Sequence, residues 1–317
     1  MRAWHRRRAS TDTAFARSRR VTRYNTGMNH PTPAPESGID RAKLLDALLP
    51  ATRDWTIEIV ESTGSTNTDL HQRLRAARDL ALPLVRVAYL QSAGRGRRGR
   101  QWVAAAGDAL MFSLAYPIQR PLAELGGLSL AVGTAILDGL RALKPSEPSQ
   151  LALKWPNDIL LSGAKLGGVL IETAWSDANT SAVVIGIGLN LRGAQALAGQ
   201  LDKLAGGDAP ANSIAALESV LAQPTLTATL AALLNALAPA LTRFGQTGFA
   251  AFRDAWLANH AYAGLPVVLL ENGTELARGT ADSIDAQGQL LLTAPDGSQY
   301  ACAAGDVSLR LRAGVAH

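Results

Sequence analysis

Cysteine is almost absent from this chain of 317 residues. Cys302 stands alone, which excludes an internal disulfide and a paired-cysteine zinc site and points to a reducing, cytoplasmic setting. The five histidines, His5, His30, His71, His260 and His317, are scattered and read as ordinary surface or core residues. No apolar run approaches the roughly 20 residues that spanning a bilayer requires, so no membrane association is expected. The start of the chain lacks the apolar stretch of a secretory signal. Also missing are the G-x-x-x-x-G-K-[ST] phosphate loop, the G-x-S-x-G nucleophile elbow and the H-E-x-x-H helix, which removes several common enzyme classes.

What is present begins with charge. The pI of 9.6 suggests a nucleic-acid partner until the charges are located. Eight arginines in the first 24 residues oppose only Asp12, a formal +7; since the whole chain carries +5, the remainder is −2. A broadly basic binding body is therefore not expected. Residues 1–37 mix arginine, serine, threonine and proline without apolar periodicity and read as a disordered extension. A transit peptide and a true start at Met28 are the alternatives, and the sequence leaves them open.

Apolar periodicity sets in at Ile39. It predicts a short helix closed by Pro50, a strand around Trp55–Val60, a helix carrying Leu70, Leu74 and Ala77, and strands over Leu84–Leu90 and Ala109–Tyr116. A buried helix follows over Leu128–Leu143, then an antiparallel meander of Leu151–Lys154, Asp158–Leu161, Lys165–Ala174 and Ala182–Leu189. Helices are expected over 211–222, 226–243 and 248–258. Beyond Leu265, four or five short strands separated by turns such as Asn272-Gly273 and Asp296-Gly297 suggest a small barrel. The division is thus 1–37 as extension, 38–263 as the main domain and 264–317 as the second.

Gly94-Arg95-Gly96-Arg97-Arg98-Gly99-Arg100 contains G-x-G-x-x-G after a strand but leads to Trp102 and another strand, unlike a dinucleotide loop that opens into a helix. It reads as a mobile cationic loop for a polyanion, against a solvated surface loop or a nucleic-acid patch. Ser65, Thr66 and Asn67 sit at a strand-to-helix junction, either a plain cap or a ligand-facing turn. Lys154-Trp155-Pro156-Asn157-Asp158 packs a lysine, an amide and a carboxylate into one turn, either well bonded internally or converging on a ligand and Mg²⁺. Lys165 opens a strand with paired glycines through Glu172, and Gly186-Ile187-Gly188-Leu189-Asn190 repeats that device.

These segments, in this order and spanning about 45–317, resemble the bacterial biotin-protein ligase family. The resemblance implies an α+β catalytic domain with a mixed sheet, related to class II aminoacyl-tRNA synthetases, plus a C-terminal SH3-like barrel. It implies that biotin and ATP form biotinyl-5′-AMP and that biotin passes to a lysine of a biotin carboxyl carrier protein of acetyl-CoA carboxylase. By the same carry-over, Ser65, Thr66, Asn67 and Gln91 would hold the biotin ring, with Arg95, Gly96 and Arg97 in the loop above it. Arg95, Arg97, Arg98, Lys154, Asn157, Asp158, Lys165, Asn190, Asp306 and Arg310 would serve the nucleotide. Arg97, Lys165 and Asp158 would be catalytic, Lys165 would also touch the biotin carboxylate, and Asn157 and Asp158 would be the Mg²⁺ ligands. The family analogy admits a homodimer. Residues 1–44 leave no room for the winged helix-turn-helix of some members, so operator binding is not expected. Residues 200–223, where the family would enclose adenine, contain no aromatic. A lipoate or octanoyl ligase is the nearest alternative.

Overall fold

The computed structural model describes residues 38–204, 213–271, 273–305 and 307–312, with side chains described except at 202–204. The basic extension, the 205–210 loop and Asp306 lie outside the described residues. The chain opens with α1 (Arg41–Ala47), capped by Asp40, then β1 (Thr56–Thr63), α2 (Thr66–Ala76), β2 (Leu84–Gln91), β3 (Ala109–Ile118) and α3 (Leu128–Ala142). The meander follows as β4 (Leu151–Lys154), β5 (Asp158–Leu161), β6 (Ala164–Ser176) and β7 (Ser181–Asn190). Then come α4 (Ala194–Leu204), α5 (Leu226–Thr247) and α6 (Arg253–Leu257).

Seven strands form one mixed sheet in the order β1-β2-β3-β7-β6-β5-β4, in which only β1 and β2 run parallel. Alternation along the central strands assigns its two faces. Val85, Val87, Leu114, Val183 and Ile185 point to the large core under α3 and α5, whereas Leu84, Ala115, Ala182 and Val184 meet Leu70 and Leu74 of α2. On this second face the small apolar residues give way, two and four positions along, to Ser113, Gly186 and Gly188. The candidate site lies there, at the N-terminal end of α2.

Helix α5 is long and apolar enough to cross a bilayer, but Leu230, Leu233, Leu234, Leu237 and Leu241 are buried in the large core. It packs on α3 and α1 as a core helix. The helix expected over 211–222 is absent from its described part, where a single 3-10 turn spans Leu217–Ser219. Apolar residues there (Ala216, Leu217, Val220) are buried in an irregular segment, and periodicity alone does not tell that from a short helix. Helix α4, by contrast, was not anticipated.

The second sheet comprises β8 (Pro266–Glu271), β9 (Thr274–Ile284), β10 (Leu290–Thr293), β11 (Gln299–Cys302) and β12 (Val307–Leu311). It is antiparallel throughout, ordered β11-β10-β9-β8-β12. Its apolar interior, including Leu269, Ile284 and Leu292, runs on into the large core. Trp155, 1% exposed, donates its indole N–H to the Gly288 carbonyl at 3.1 Å, and Arg253 donates to that of Ile284 at 2.6 Å. The tryptophan of the Lys154–Asp158 segment therefore joins the two sheets.

His260 is buried against Trp256 with both ring nitrogens unpartnered, and burial pulls its pKa down to about 4. The unfolded chain takes up this proton near pH 6.5 and the folded chain only near 4. Stability is thus fully present above 6.5 and is lost as pH falls between those values, by about 3 kcal/mol. His260→Phe is expected to flatten this slope in urea unfolding at pH 7 and pH 4.5; an unchanged slope would refute the assignment.

Candidate functional site

The strand-to-helix junction forms the first wall. Ser65 caps α2, accepting from Thr68 N–H at 3.4 Å, and the Thr66 N–H donates to Gln91 Oε1 at 2.8 Å. The amide of Asn67 donates to Glu172 Oε2 at 2.9 Å and, more weakly, to the Leu170 carbonyl at 3.4 Å. With its nitrogen so engaged, Asn67 turns its oxygen to Ser113, whose hydroxyl donates at 2.6 Å. The single Ser113 proton is then spent, so in the 2.7 Å contact between the two hydroxyls Thr66 is the donor. The lone pairs of Thr66 remain for a ligand. Ser65, Thr66, Asn67, Gln91, Arg95, Gly96 and Lys165 all line one cavity, as does Ser113.

Close packing requires the glycines of β7. A methyl group on Gly186 would overlap the Asn67 amide, and one on Gly188 would lie 2.5 Å from the Trp102 indole. The indole N–H of Trp102 is buried without a hydrogen-bond partner. Trp102 is held over the strand because its backbone N–H donates to the Gly94 carbonyl, closing the arginine loop into a hairpin with Gly96 N–H bonded to Arg100 O. Arg98 sits at φ +62° in this hairpin, a left-handed conformation uncommon for arginine.

The loop's cations are distributed rather than pooled. Arg95 pairs with Glu172 at 2.9 Å. Arg97 donates to Asn157 Oδ1 at 3.2 Å and to the carbonyls of Ala304 and Gly305 at 2.6 and 2.5 Å, which ties the loop to the second sheet. Arg100 is exposed yet close enough to Asp158, Arg310 and Arg98 to feel their charges, and partial desolvation makes its proton easier to lose.

Beside the cavity, Lys165 meets Asp158 Oδ1 at 2.5 Å, and Lys154 lies 3.6 Å from Oδ2. Burial alone would raise the Asp158 carboxyl, but Lys165, Lys154 and Arg100 outweigh it and hold the group below the usual carboxylate range. Burial pulls Lys154 down to about 8 against the opposing attraction of Asp158. One carboxylate thus faces Lys154, Lys165 and Arg100, with Arg310 near enough to Lys154 and Arg100 to oppose their charges, an excess of positive charge suited to a polyanion. Asn190 lies in an adjoining recess, its amide donating to Ala215 O at 3.1 Å and its side-chain oxygen buried without a partner.

Asn157 and Asp158, the expected Mg²⁺ ligands, are adjacent in the chain and both are engaged by other side chains or backbone groups. Both oxygens of Asp158 are taken by lysines, and the Asn157 oxygen accepts from Arg97 while its nitrogen donates to Val169 O at 2.8 Å. Among the described residues no group of three or more His, Cys, Asp or Glu side chains could hold a metal.

Ser113 and the pairing role of Glu172 were not singled out from sequence. Ser113 is the lone hydroxyl in the apolar run Ala109–Ala115, and that break was the available signal.

A profile of the Biotin/lipoate A/B protein ligase family matches residues 59–190. A "Biotin--[acetyl-CoA-carboxylase] ligase" of Paracoccus denitrificans is 37% identical over 246 residues, covering 76% of this chain and 96% of that protein. One of the same name from Mycobacterium tuberculosis is 40% identical over 155 residues, 48% of this chain and 56% of the relative. Among solved structures, the biotin protein ligase of Aquifex aeolicus in complex with biotin and ATP superposes with a TM-score of 0.62 at 23% identity, over 81% of this chain and 99% of that one.

Proposed function

The chain belongs to the biotin-protein ligase family, and from that premise we propose that it activates biotin with ATP and transfers it to a lysine of a biotin carboxyl carrier protein. The observation that carries the reading is the junction between two unlike pockets. The Thr66–Ser113–Asn67 relay and Gln91 offer fixed acceptors and donors to a cyclic urea, and Lys165 stands where that cavity meets the cationic cluster.

In the first step a biotin carboxylate oxygen attacks the α-phosphorus of ATP; the bond to the departing pyrophosphate breaks and biotinyl-5′-AMP forms. In the second, the carrier lysine attacks the acyl carbon, AMP leaves, and an amide forms with loss of the amine proton. Two anions must meet in the first step, so Lys165, Lys154, Arg100 and Arg310 screen their repulsion. Asp158 keeps the two lysines charged and aimed. Arg95 and Arg98 complete the cationic border, Gly96 lets the loop approach the ligand, and Asn190 offers its oxygen to the base. Mg²⁺ enters as part of the MgATP substrate. We assign residues 38–263 to a catalytic domain of the class II synthetase type. Residues 264–317 are assigned to an SH3-like unit, in which Asp306 and Arg310 assist nucleotide and carrier engagement.

The setting is cytoplasmic, in keeping with the single cysteine, and operator DNA is not a partner. A homodimer would form through a sheet edge. Incorporation of labelled biotin into a biotin-acceptor domain with MgATP tests the reading. Labelling that requires the acceptor lysine supports it; transfer of lipoate in its place moves the chain to the sister activity.

Lys154 adds a pH signature. Its charge is half lost at about pH 8 and gone well above it, so the KM for ATP is expected to rise as pH passes through 8. Lys154→Arg, which keeps its charge, should flatten that rise; identical slopes would remove Lys154 from the nucleotide site.

A further inference from the structure

Beside the Ser65–Asn67 turn, toward β1 and on the sheet face that carries Ser113, lie two carboxylates and two arginines that the reaction does not use. Glu58 on β1 is 6% exposed and accepts both arms of Arg73 from α2, at 2.8 and 3.1 Å. Asp69, in the first turn of α2, accepts from Thr63 Oγ1 at 2.7 Å, a bond that spans the turn from the last residue of β1. Arg86 on β2 joins the two acids, donating from Nε to Asp69 at 2.6 Å and from Nη1 to Glu58 at 3.0 Å. Arg86 is opposite Glu58 in the parallel register of β1 and β2, and Thr63 is opposite Gln91. The same strand pair therefore sets the clamp and places Gln91 against Thr66.

We propose that Arg86 is a positioning residue for biotin: by holding Asp69 and Glu58 together it fixes the N-terminus of α2, and with it the Ser65–Asn67 turn. The inference rests on the assignment of that turn to the biotin ring. The geometry distinguishes the two arginines. Arg73 grips only Glu58, farther down α2, whereas Arg86 alone reaches Asp69, whose N–H bonds to Ser65 O at 3.0 Å. Thermal motion of the turn relative to Gln91 and Ser113 should grow only when the Asp69 end is released. The nucleotide cluster stands on β4 to β6, the arginine loop and β12, so it should be insensitive.

The test compares full-length wild type with Arg86→Met, Arg86→Lys and Arg73→Met, measuring biotin Kd by calorimetry, KM for ATP and the thermal midpoint. Arg86→Met is expected to weaken biotin about 10-fold, the loss of a charge-assisted contact, with KM for ATP within about twofold. Arg86→Lys, which keeps the charge but reaches only one acid, should fall between. Arg73→Met should lower the midpoint comparably and leave biotin Kd within about twofold. The proposal is overturned if Arg86→Met leaves biotin binding unchanged, if biotin and ATP constants rise together, or if Arg73→Met weakens biotin equally. If Arg86→Met does not fold, the Arg86→Lys and Arg73→Met pair decides by the same criterion. Absence of biotin binding by wild type would instead refute the functional assignment itself.

Discussion

Replacing Lys165 by methionine is expected to slow formation of biotinyl-5′-AMP by about 10² to 10³-fold, the scale for removing one preorganised donor from a developing negative charge. Lys165 lines the urea-facing cavity and is bonded to Asp158 at 2.5 Å, so it is the cation common to both pockets. Methionine keeps the length and apolar stem and removes only the charge. Isotope exchange between pyrophosphate and ATP, dependent on biotin, measures the step. Transfer from added biotinyl-5′-AMP to the carrier should fall by no more than about 5-fold, because charge at the α-phosphorus is no longer building. Equal loss in both half-reactions would make Lys165 a general support of the site, and full exchange activity would remove it from catalysis.

The distribution of partners around Asp158 explains how a site so rich in cations remains folded. A close lysine on one carboxylate oxygen and a second lysine near the other offset the desolvation of this partly buried acid. The remaining excess of positive charge is a cost carried in the absence of substrate. Nucleotide binding should therefore stabilise the chain as well as orient the reactants.

Much of this was legible in the sequence because the informative residues are local. Strand alternation predicted β2, β3 and all four strands of the meander, and turn dipeptides separated the strands of the second sheet. The Ser65–Asn67, Gln91, Arg95 and Lys165 positions converge on one cavity despite lying up to 100 residues apart, because each lies at or just beyond a strand end on the same margin of the sheet. Ser113 was not legible, since its importance comes from facing Asn67 and Thr66 across strands. Arg86 and Glu58 likewise look like ordinary strand charges until the parallel register pairs them. Nor could sequence show that Trp155 belongs to the join between sheets, because its partner is a backbone carbonyl 133 residues away.

The same logic changes what Arg97 is expected to do. Its place in the arginine loop suggested a phosphate contact, yet its donors meet Asn157 and the carbonyls of Ala304 and Gly305. A guanidinium satisfied by three acceptors from two other segments acts as a tie between the loop, the Lys154–Asp158 turn and the second sheet. Arg97→Gly removes every one of those bonds and adds backbone freedom to the loop. Retention of biotinyl-5′-AMP, followed by gel filtration of the enzyme after a single turnover, should shorten by about 10 to 100-fold, equivalent to 1.4 to 2.8 kcal/mol. The released anhydride should then biotinylate lysines on bystander proteins without regard to their fold, while the rate of its formation falls less than in Lys165→Met. Unchanged retention would show that the loop is held closed without Arg97. Loss of formation as severe as in Lys165→Met would return Arg97 to the reacting phosphate. The two variants thus separate making the adenylate from keeping it, and the second sheet, through its 304–305 carbonyls, belongs to the keeping.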